Sequence, residues 1–270
     1  MMDETQQTSV LEAQQKQPHD EIITYAGYHS IISGVDRSWD YGGFPLPDGT
    51  FWRYREPNAV VVVEADKLRV GVKPLTRAND QVQILDNAKN MFFSTKRFLI
   101  PDNSNISFEW DSSARCLDTR PHDLYDGFVS VNLLDFMGGY ALDFFVSNDT
   151  IATVYARLPF PGVPVPADLE DAVKPKYFSD FNELPIETHE GQTHRYRIRY
   201  DKGKDEVRYF VDGQEVGVYL EVPSKIDSCI IALGLMTEKS IDHGKSVSVH
   251  EQGLVGEWGP FTITVHKGNQ

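Results

Sequence analysis

Three alternating segments between Thr193 and Glu221 constrain the fold of this chain more than any other stretch. They run from His194 to Tyr200, from Asp205 to Val211 and from Gln214 to Tyr219. Side chains in each segment alternate between two faces, which is the period of a half-buried strand. Asp212-Gly213 supplies the positive φ that a two-residue hairpin requires. The stretch therefore predicts three consecutive antiparallel strands.

Most of the remaining chain follows the same pattern. Alternating or apolar runs lie at 59–65, 68–72, 106–110, 128–134, 140–146, 150–157, 229–236 and 261–265. Around a dozen strands with few helical periods predict an all-β fold of two packed antiparallel sheets. We expect a polar, disordered tail at residues 1–20 and a single domain over residues 21–268.

Several segments between these runs have the composition of loops. Residues 25–54 are aromatic and rich in Gly and Pro, which predicts an ordered loop or edge segment that closes one face of the sandwich. Five prolines between positions 159 and 175 predict a long surface excursion up to residue 185, with a short helix near Asp168–Val173. Polar loops are predicted at 112–126 and 245–257.

Charge and composition exclude several classes of partner. The net charge of −14 argues against binding to nucleic acid or to an anionic membrane. No apolar run approaches the roughly 20 residues of a membrane-spanning helix. The N-terminal sequence is not that of a secretory signal, so we expect a cytoplasmic location. The two cysteines do not make a disulfide scaffold, and exposed sheet edges allow a homodimer.

The alternation of Tyr196, Ile198 and Tyr200, followed by Val211-Asp212-Gly213, resembles the concanavalin A-like jelly rolls. That family includes legume lectins, laminin-G modules and laminarinase-type glycosidases. The resemblance covers roughly residues 100–266 and implies a jelly-roll β-sandwich with one concave face. It points to no branch of defined function.

Laminarinase-type relatives carry Glu-x-Asp-x-x-Glu, or the same motif one residue shorter, on a central strand. The resemblance places Asp143 at the middle position of this motif. Ala141 and either Phe145 or Val146 then occupy the two glutamate positions. Retaining hydrolysis needs two carboxyl groups roughly 5 Å apart, so this pattern implies that its usual machinery is missing.

Asp143, Tyr155 and Arg157 are candidate catalytic residues on neighbouring strands. Thr153, Tyr155 and Arg157 share one face of their strand, and Arg157 could meet Asp143 across the ladder. Such a pair could orient a polar substrate or support acid–base chemistry. The same pair could instead be structural.

His122 and Tyr125 are further proton-handling candidates, and Arg120 beside them is a candidate ligand contact. A solvated loop is the alternative interpretation of this cluster. No His spacing typical of a metal site and no calcium-loop pattern is present, so we predict no cofactor and no metal.

Aromatic residues are the remaining ligand-binding candidates. Together they could form a stacking surface for a sugar or a planar organic ligand, although each could also pack in the core. The set comprises Trp39, Tyr41, Trp52, Trp110 and Trp258.

These features lead to a cofactor-independent enzyme of the cyclase or isomerase type as the first hypothesis. Its substrate would be a small organic molecule, such as a secondary metabolite, held in an aromatic-lined groove. The second hypothesis is a non-catalytic, lectin-like carbohydrate-binding module. The third is a glycoside hydrolase with atypical carboxylates, with Glu109 and Asp143 as its pair.

Overall fold

Strands dominate the part of the chain that the structure describes. A computed structural model describes residues 20–45, 49–79, 85–158, 177–240 and 247–267. The predicted disordered tail, apart from residue 20, lies outside these residues. So does the proline-rich part of the excursion, with the helix predicted near Asp168–Val173.

The helical segments in the described residues are α1 (His29–Ser33) and a 3-10 turn at Leu124–Asp126. The strands in chain order are β1 (Glu21–Tyr25), β2 (Trp39–Tyr41), β3 (Gly43–Pro45), β4 (Phe51–Arg53), β5 (Val60–Glu64), β6 (Lys67–Val72), β7 (Ala78–Asn79), β8 (Leu85–Ser94), β9 (Phe98–Leu99), β10 (Ser104–Leu117), β11 (Phe128–Asp135), β12 (Tyr140–Val146), β13 (Ile151–Arg157), β14 (Phe178–Glu183), β15 (Thr193–Asp201), β16 (Glu206–Val211), β17 (Gln214–Leu220), β18 (Ser228–Met236), β19 (Lys239–Ser240), β20 (Gly253–Trp258) and β21 (Phe261–Lys267).

Two large antiparallel sheets contain nearly all of these strands. Sheet A has the order β17-β16-β15-β10, and the other edge of β10 pairs with β21 and then with β20. Strand β1 continues the sheet from β21, while β6 and β5 continue it from β20. Sheet B has the order β14-β13-β12-β11-β18-β8, with β2, β7 and β19 on β8 and β9 on β18. The predicted two-sheet antiparallel architecture is confirmed.

The predicted meander corresponds to β15, β16 and β17. Its second turn uses Asp212 with φ of 51° and Gly213 with φ of 83°. Two consecutive positive φ values fit a turn whose twist matches that of the flanking strands. The Asp-Gly pair was therefore a reliable hairpin signal.

Three segments predicted as loops are strands. Residues 112–117 continue β10, and residues 253–258 form β20, which pairs with them. Residues 178–183 form β14 at the edge of sheet B. Their polar composition suggested loops, but ladder partners far away in the sequence satisfy their backbone groups.

The main hydrophobic core lies between the two sheets. Trp110 and Tyr196 from sheet A stack at 5.8 Å, and Phe144 from sheet B contacts Tyr196 at 4.9 Å. Residues facing this core alternate with residues on the opposite side of each sheet.

Sheet B is also covered on its other side. Strands β11, β12 and β13 are buried along their whole length. Side chains on this outer face form a second apolar cluster that includes Phe128, Phe145 and Val154. Tyr54 from the aromatic N-terminal segment belongs to the same cluster, as expected for a segment that closes this face.

Candidate functional site

The outer face of sheet B carries polar side chains in the middle of its apolar cluster. Asp143 on β12 lies opposite Asn132 on β11, and Asn132 lies opposite Ala232 on β18. Lys89 pairs with Met236, which places its side chain on the same face. Glu238 lies two residues after Met236 and interacts electrostatically with Asp143 and Lys89. We call Lys89, Asn132, Asp143 and Glu238, together with Ser130, the outer-face site.

Asp143 is a buried acid with an unsatisfied oxygen. Its exposure is 6%, and its Oδ1 has no hydrogen-bond partner among the described residues. Burial raises the pKa of Asp143 well above its usual range, and the Glu238 carboxyl raises it further against the opposing effect of Lys89. Because desolvation disfavours the charged form, the carboxyl group is held toward its protonated state.

Glu238 and Lys89 respond to the same environment. Burial raises the pKa of Glu238, with Lys89 opposing the shift. Burial lowers the pKa of Lys89, and the two carboxyl groups oppose that shift. All three pKa values are therefore displaced toward the neutral form of the group, and perturbed pKa values of this kind cluster at functional sites.

Neutral polar groups continue the site along β11. The Asn132 Nδ2 group donates hydrogen bonds to Ser130 Oγ at 3.0 Å and to the Ala232 carbonyl at 3.3 Å. A Cβ atom at Gly234 would lie 2.5 Å from Ser130 Oγ, so glycine at this position makes room for the hydroxyl group.

Aromatic side chains border the outer-face site. Trp52, Phe93, Phe136 and Phe181 are partly buried and pack against the second cluster. The Tyr125 ring lies 5.2 Å from Phe181, and burial raises the pKa of its phenol, with Glu238 contributing to the shift.

Residues 28–267 match the sequence profile of DUF6081, described as a family of unknown function. The chain belongs to the DUF6081 family. No curated protein matches it.

Solved structures are similar to this DUF6081 chain in fold. An endo-1,3-beta-glucanase from Streptomyces sioyaensis has a TM-score of 0.52 at 12% identity, covering 85% of this chain and 90% of that one. A Crh5 transglycosylase in complex with NAG has a TM-score of 0.51 at 11% identity, covering 92% and 84%. A sialidase also matches, at 11% identity with a TM-score of 0.46. The match covers 84% of this chain, but this chain spans only 17% of the sialidase chain. The glucanase and transglycosylase likenesses confirm the predicted concanavalin A-like jelly roll.

The predicted contact between Asp143 and Arg157 is wrong. Ladder register places Asp143 opposite Val154 and Arg157 opposite Tyr140. Tyr155 belongs to the main core on the inner face, and the Arg157 Nε group donates to the Gly138 carbonyl at 2.9 Å. Residues of opposite parity lie on opposite faces of a sheet, so the two charges are separated by the sheet itself.

The loop candidates separate in space. His122 is exposed and lies 2.9 Å from Asp149, and Arg120 is exposed near Asp126. Tyr125 contacts the outer-face site through Phe181, and its carbonyl accepts a hydrogen bond from the Glu238 backbone N–H at 2.9 Å. Their catalytic and binding roles stay predictions.

An open stacking surface made from all five aromatic candidates is also contradicted. Trp39, Trp110 and Trp258 are buried in the main core. Tyr41 is half-buried, and its ring lies 4.6 Å from that of Phe92. Trp52 packs against the second apolar cluster, with the Arg77 guanidinium 4.3 Å from its ring centre. Core packing, the alternative stated for each residue, holds for the three tryptophans.

The hydrolase pair proposed from the sequence does not form either. Glu109 lies on the outer face of sheet A, where Arg195 and Arg197 approach its carboxylate at 3.7 and 4.0 Å. Asp143 lies on the outer face of sheet B, so the whole sandwich separates the two groups.

Sequence reasoning missed four members of the outer-face site. The sequence could have indicated Glu238, because residues two apart along a strand share a face and Glu238 lies two residues after Met236. Ser130 and Asn132 also alternate within their strand. Lys89 carried no such signal, since only the pairing of β8 with β18 places it on the same face as Asp143.

Two absences hold for the part of the chain that the structure describes. No helix there has the length and apolarity to cross a membrane. No group of three or more His, Cys, Asp or Glu side chains among these residues could hold a metal ion.

Proposed function

We propose that this protein binds a carbohydrate at the outer-face site. The observation that carries the proposal is Asp143, a buried acid whose Oδ1 has no hydrogen-bond partner among the described residues. A buried polar atom without a partner is costly, and a ligand that supplies the missing hydrogen bond would offset this cost.

A carbohydrate matches the chemistry of this site. Each sugar hydroxyl both donates and accepts hydrogen bonds, so it can pair with carboxyl, amide and hydroxyl groups alike. Trp52 and Phe181 pack against the apolar cluster that surrounds these polar groups, and aromatic rings are suited to contact the apolar face of a sugar. The similar folds of an endo-1,3-beta-glucanase and of a transglycosylase in complex with NAG support this ligand class.

Glycan-array binding followed by titration tests the proposal. We expect wild-type protein to bind at least one glycan, and Asp143→Ala to weaken that binding by about tenfold or more. Asp111→Ala is the matched control, because Asp111 is a half-exposed strand carboxylate on the outer face of sheet A. Circular dichroism verifies that each variant is folded. Absence of any bound glycan, or equal affinity in Asp143→Ala and wild type, would refute the proposal.

A second candidate function is acid–base chemistry on the bound carbohydrate. It is favoured by the raised pKa values of both Asp143 and Glu238, which suit a carboxyl group that donates a proton at neutral pH. Ala141 and Phe145 flank Asp143 on the same face, so the proton donor would work with Glu238 and not with a carboxyl on its own strand.

Product analysis separates binding from catalysis. Wild type, Asp143→Asn and Glu238→Gln are incubated with each glycan bound on the array, and mass spectrometry detects shortened or eliminated products. Products from wild type that both variants fail to release support an enzyme. Unchanged glycan with wild type leaves a binding protein. Nothing in the described part of the site or in the similar folds supports a cyclase or isomerase.

A further inference from the structure

A separate cavity of about 170 Å³ lies at one end of the sandwich, beside the 3-10 turn. It lies between the end of β10, the loop after it and the turn that precedes β13. Its lining includes Cys116, Arg120, Asp123, Asn148 and Asp149. A protein cavity of about 150 Å³ accommodates a molecule the size of benzene, so this space fits one six-membered ring.

The walls of the cavity are fixed by hydrogen bonds. The Asn148 side chain accepts a hydrogen bond from the Cys116 backbone N–H and donates one to the Cys116 carbonyl, both at 2.7 Å. This is the pattern that a neighbouring strand residue would make. Asp126 behind the wall accepts from the Arg120 backbone N–H at 2.8 Å and from His250 Nε2 at 2.9 Å. A pocket held in this way is formed before the ligand arrives, which reduces the entropy lost on binding.

The charged groups around the cavity are paired within the protein. Lys239 contacts Asp123 and lies 3.4 Å from the buried carboxylate of Asp126. Asp149 lies 2.9 Å from His122. Burial raises the pKa of the Cys116 thiol to about 12, so that wall is uncharged.

Arg120 lines the cavity, and its guanidinium group makes only a long ion pair. Its Nη1 lies 3.9 Å from Asp126 Oδ1, and 62% of its side chain is exposed. The cavity thus offers a strong donor from Arg120 and carboxylate acceptors from Asp123 and Asp149. A fully anionic ligand would meet these carboxylates, whereas hydroxyl groups can use donor and acceptor together.

We infer that this cavity binds one uncharged, polyhydroxylated ring, such as a single monosaccharide or a cyclic polyol. Arg120 donates to a ring hydroxyl, and Asp123 or Asp149 accepts from another. The site is distinct from the outer-face site and stands without the function proposed above.

Nuclear magnetic resonance titration of isotope-labelled protein tests this inference. The uncharged probes are D-glucose, D-galactose, D-mannose and myo-inositol, and the charged probes are D-glucuronate and D-glucosamine. We expect at least one uncharged probe to shift the amide signals of residues 116–127 and 147–149, and to bind more tightly than either charged probe. No shift with any uncharged probe, or tighter binding of a charged one, would overturn the inference.

Two arginine variants provide a matched comparison. Arg115 resembles Arg120 in exposure, at 56%, and in its ion pair of 3.9 Å, which joins it to Glu190. We expect Arg120→Gln to weaken binding of the uncharged probe by about tenfold and Arg115→Gln to leave it unchanged. Equal binding by the two variants would contradict the inferred contact between Arg120 and the bound ring. Asp143→Ala should retain this binding, so a failure here is distinguishable from a failure of the outer-face proposal.

Discussion

Asp126 in the 3-10 turn and Asp143 at the centre of sheet B are two carboxyl groups withdrawn from solvent, with exposures of 0% and 6%. Burial raises the pKa of Asp126, but its bonds to the Arg120 backbone N–H and to His250, with Lys239 nearby, outweigh that effect and the pKa is lowered overall. Burial dominates at Asp143, and its pKa is raised. Hydrogen-bond partners, and not burial alone, therefore decide whether a buried acid is charged.

This difference distinguishes an acid with a structural role from the acid that we propose contacts a ligand. Asp126 has the partners that a charged group needs and holds the loop that carries Tyr125. Asp143 leaves Oδ1 without a partner among the described residues. A group kept under-satisfied in the native state is a feature of sites that await a ligand.

The largest effect should follow from Asp126→Asn. Removing this charge leaves His250 and Lys239 without their buried partner, and we expect unfolding free energy to fall by about 3 kcal/mol. Urea unfolding followed by fluorescence measures the change. A loss as small as that of an exposed ion pair would show that Asp126 is not a structural charge.

Asp143→Asn should act in the opposite direction. The amide has nearly the same shape but no charge to desolvate, so we expect a gain of about 1–2 kcal/mol at neutral pH. The same urea experiment measures it, with Asp111→Asn as the exposed control. A destabilised Asp143→Asn variant would mean that partners of the charged carboxylate outweigh its burial.

The pH dependence of these two variants sharpens the comparison. The native pKa of Asp143 is raised, so its carboxyl group costs stability as pH rises above the ordinary aspartate pKa of about 4. The native pKa of Asp126 is lowered, so its contribution is present above that value and is lost as pH falls. We expect the advantage of Asp143→Asn to shrink toward low pH, and the deficit of Asp126→Asn to shrink as well. Unfolding curves across acidic pH test both, and a constant difference would contradict the assigned shifts.

The smallest effect is expected on the exposed outer face of sheet A. Arg195 Nε lies 2.9 Å from Asp111 Oδ1, and both side chains are largely solvated. We expect Arg195→Gln to cost no more than about 1 kcal/mol and the cost to fall with added salt. A larger loss that salt does not reduce would give this surface a structural role comparable to that of Asp126.

The sandwich was predictable because its signals are local. Period-two alternation from Tyr196 to Tyr200 and the Asp212-Gly213 turn depend on residues next to each other in the chain. Asp143 was singled out by the resemblance to the laminarinase-type motif, which places it on the locally recognisable strand from Tyr140 to Val146.

The rest of the site depends on pairings that leave no local trace. The strands of Asp143 and Arg157 were identified correctly, but the register between them was not. The predicted contact between the two residues was therefore wrong. Lys89 on β8 and Asp143 on β12 belong to the same face only because β18 and β11 pair between their strands. The homodimer, the cytoplasmic location and the single-domain boundaries stay predictions.

The pairing of β1 with β21 has a consequence for how the fold assembles during synthesis. Ile23 lies opposite Ile263, so the first described strand pairs with the last one. In the described residues β1 has no other ladder partner, and it must therefore wait until residues 261–265 have left the ribosome. Contacts between residues this distant in sequence slow folding, because a long loop must close first. Strand β1 therefore stays without this ladder partner until residues 261–265 have been synthesised.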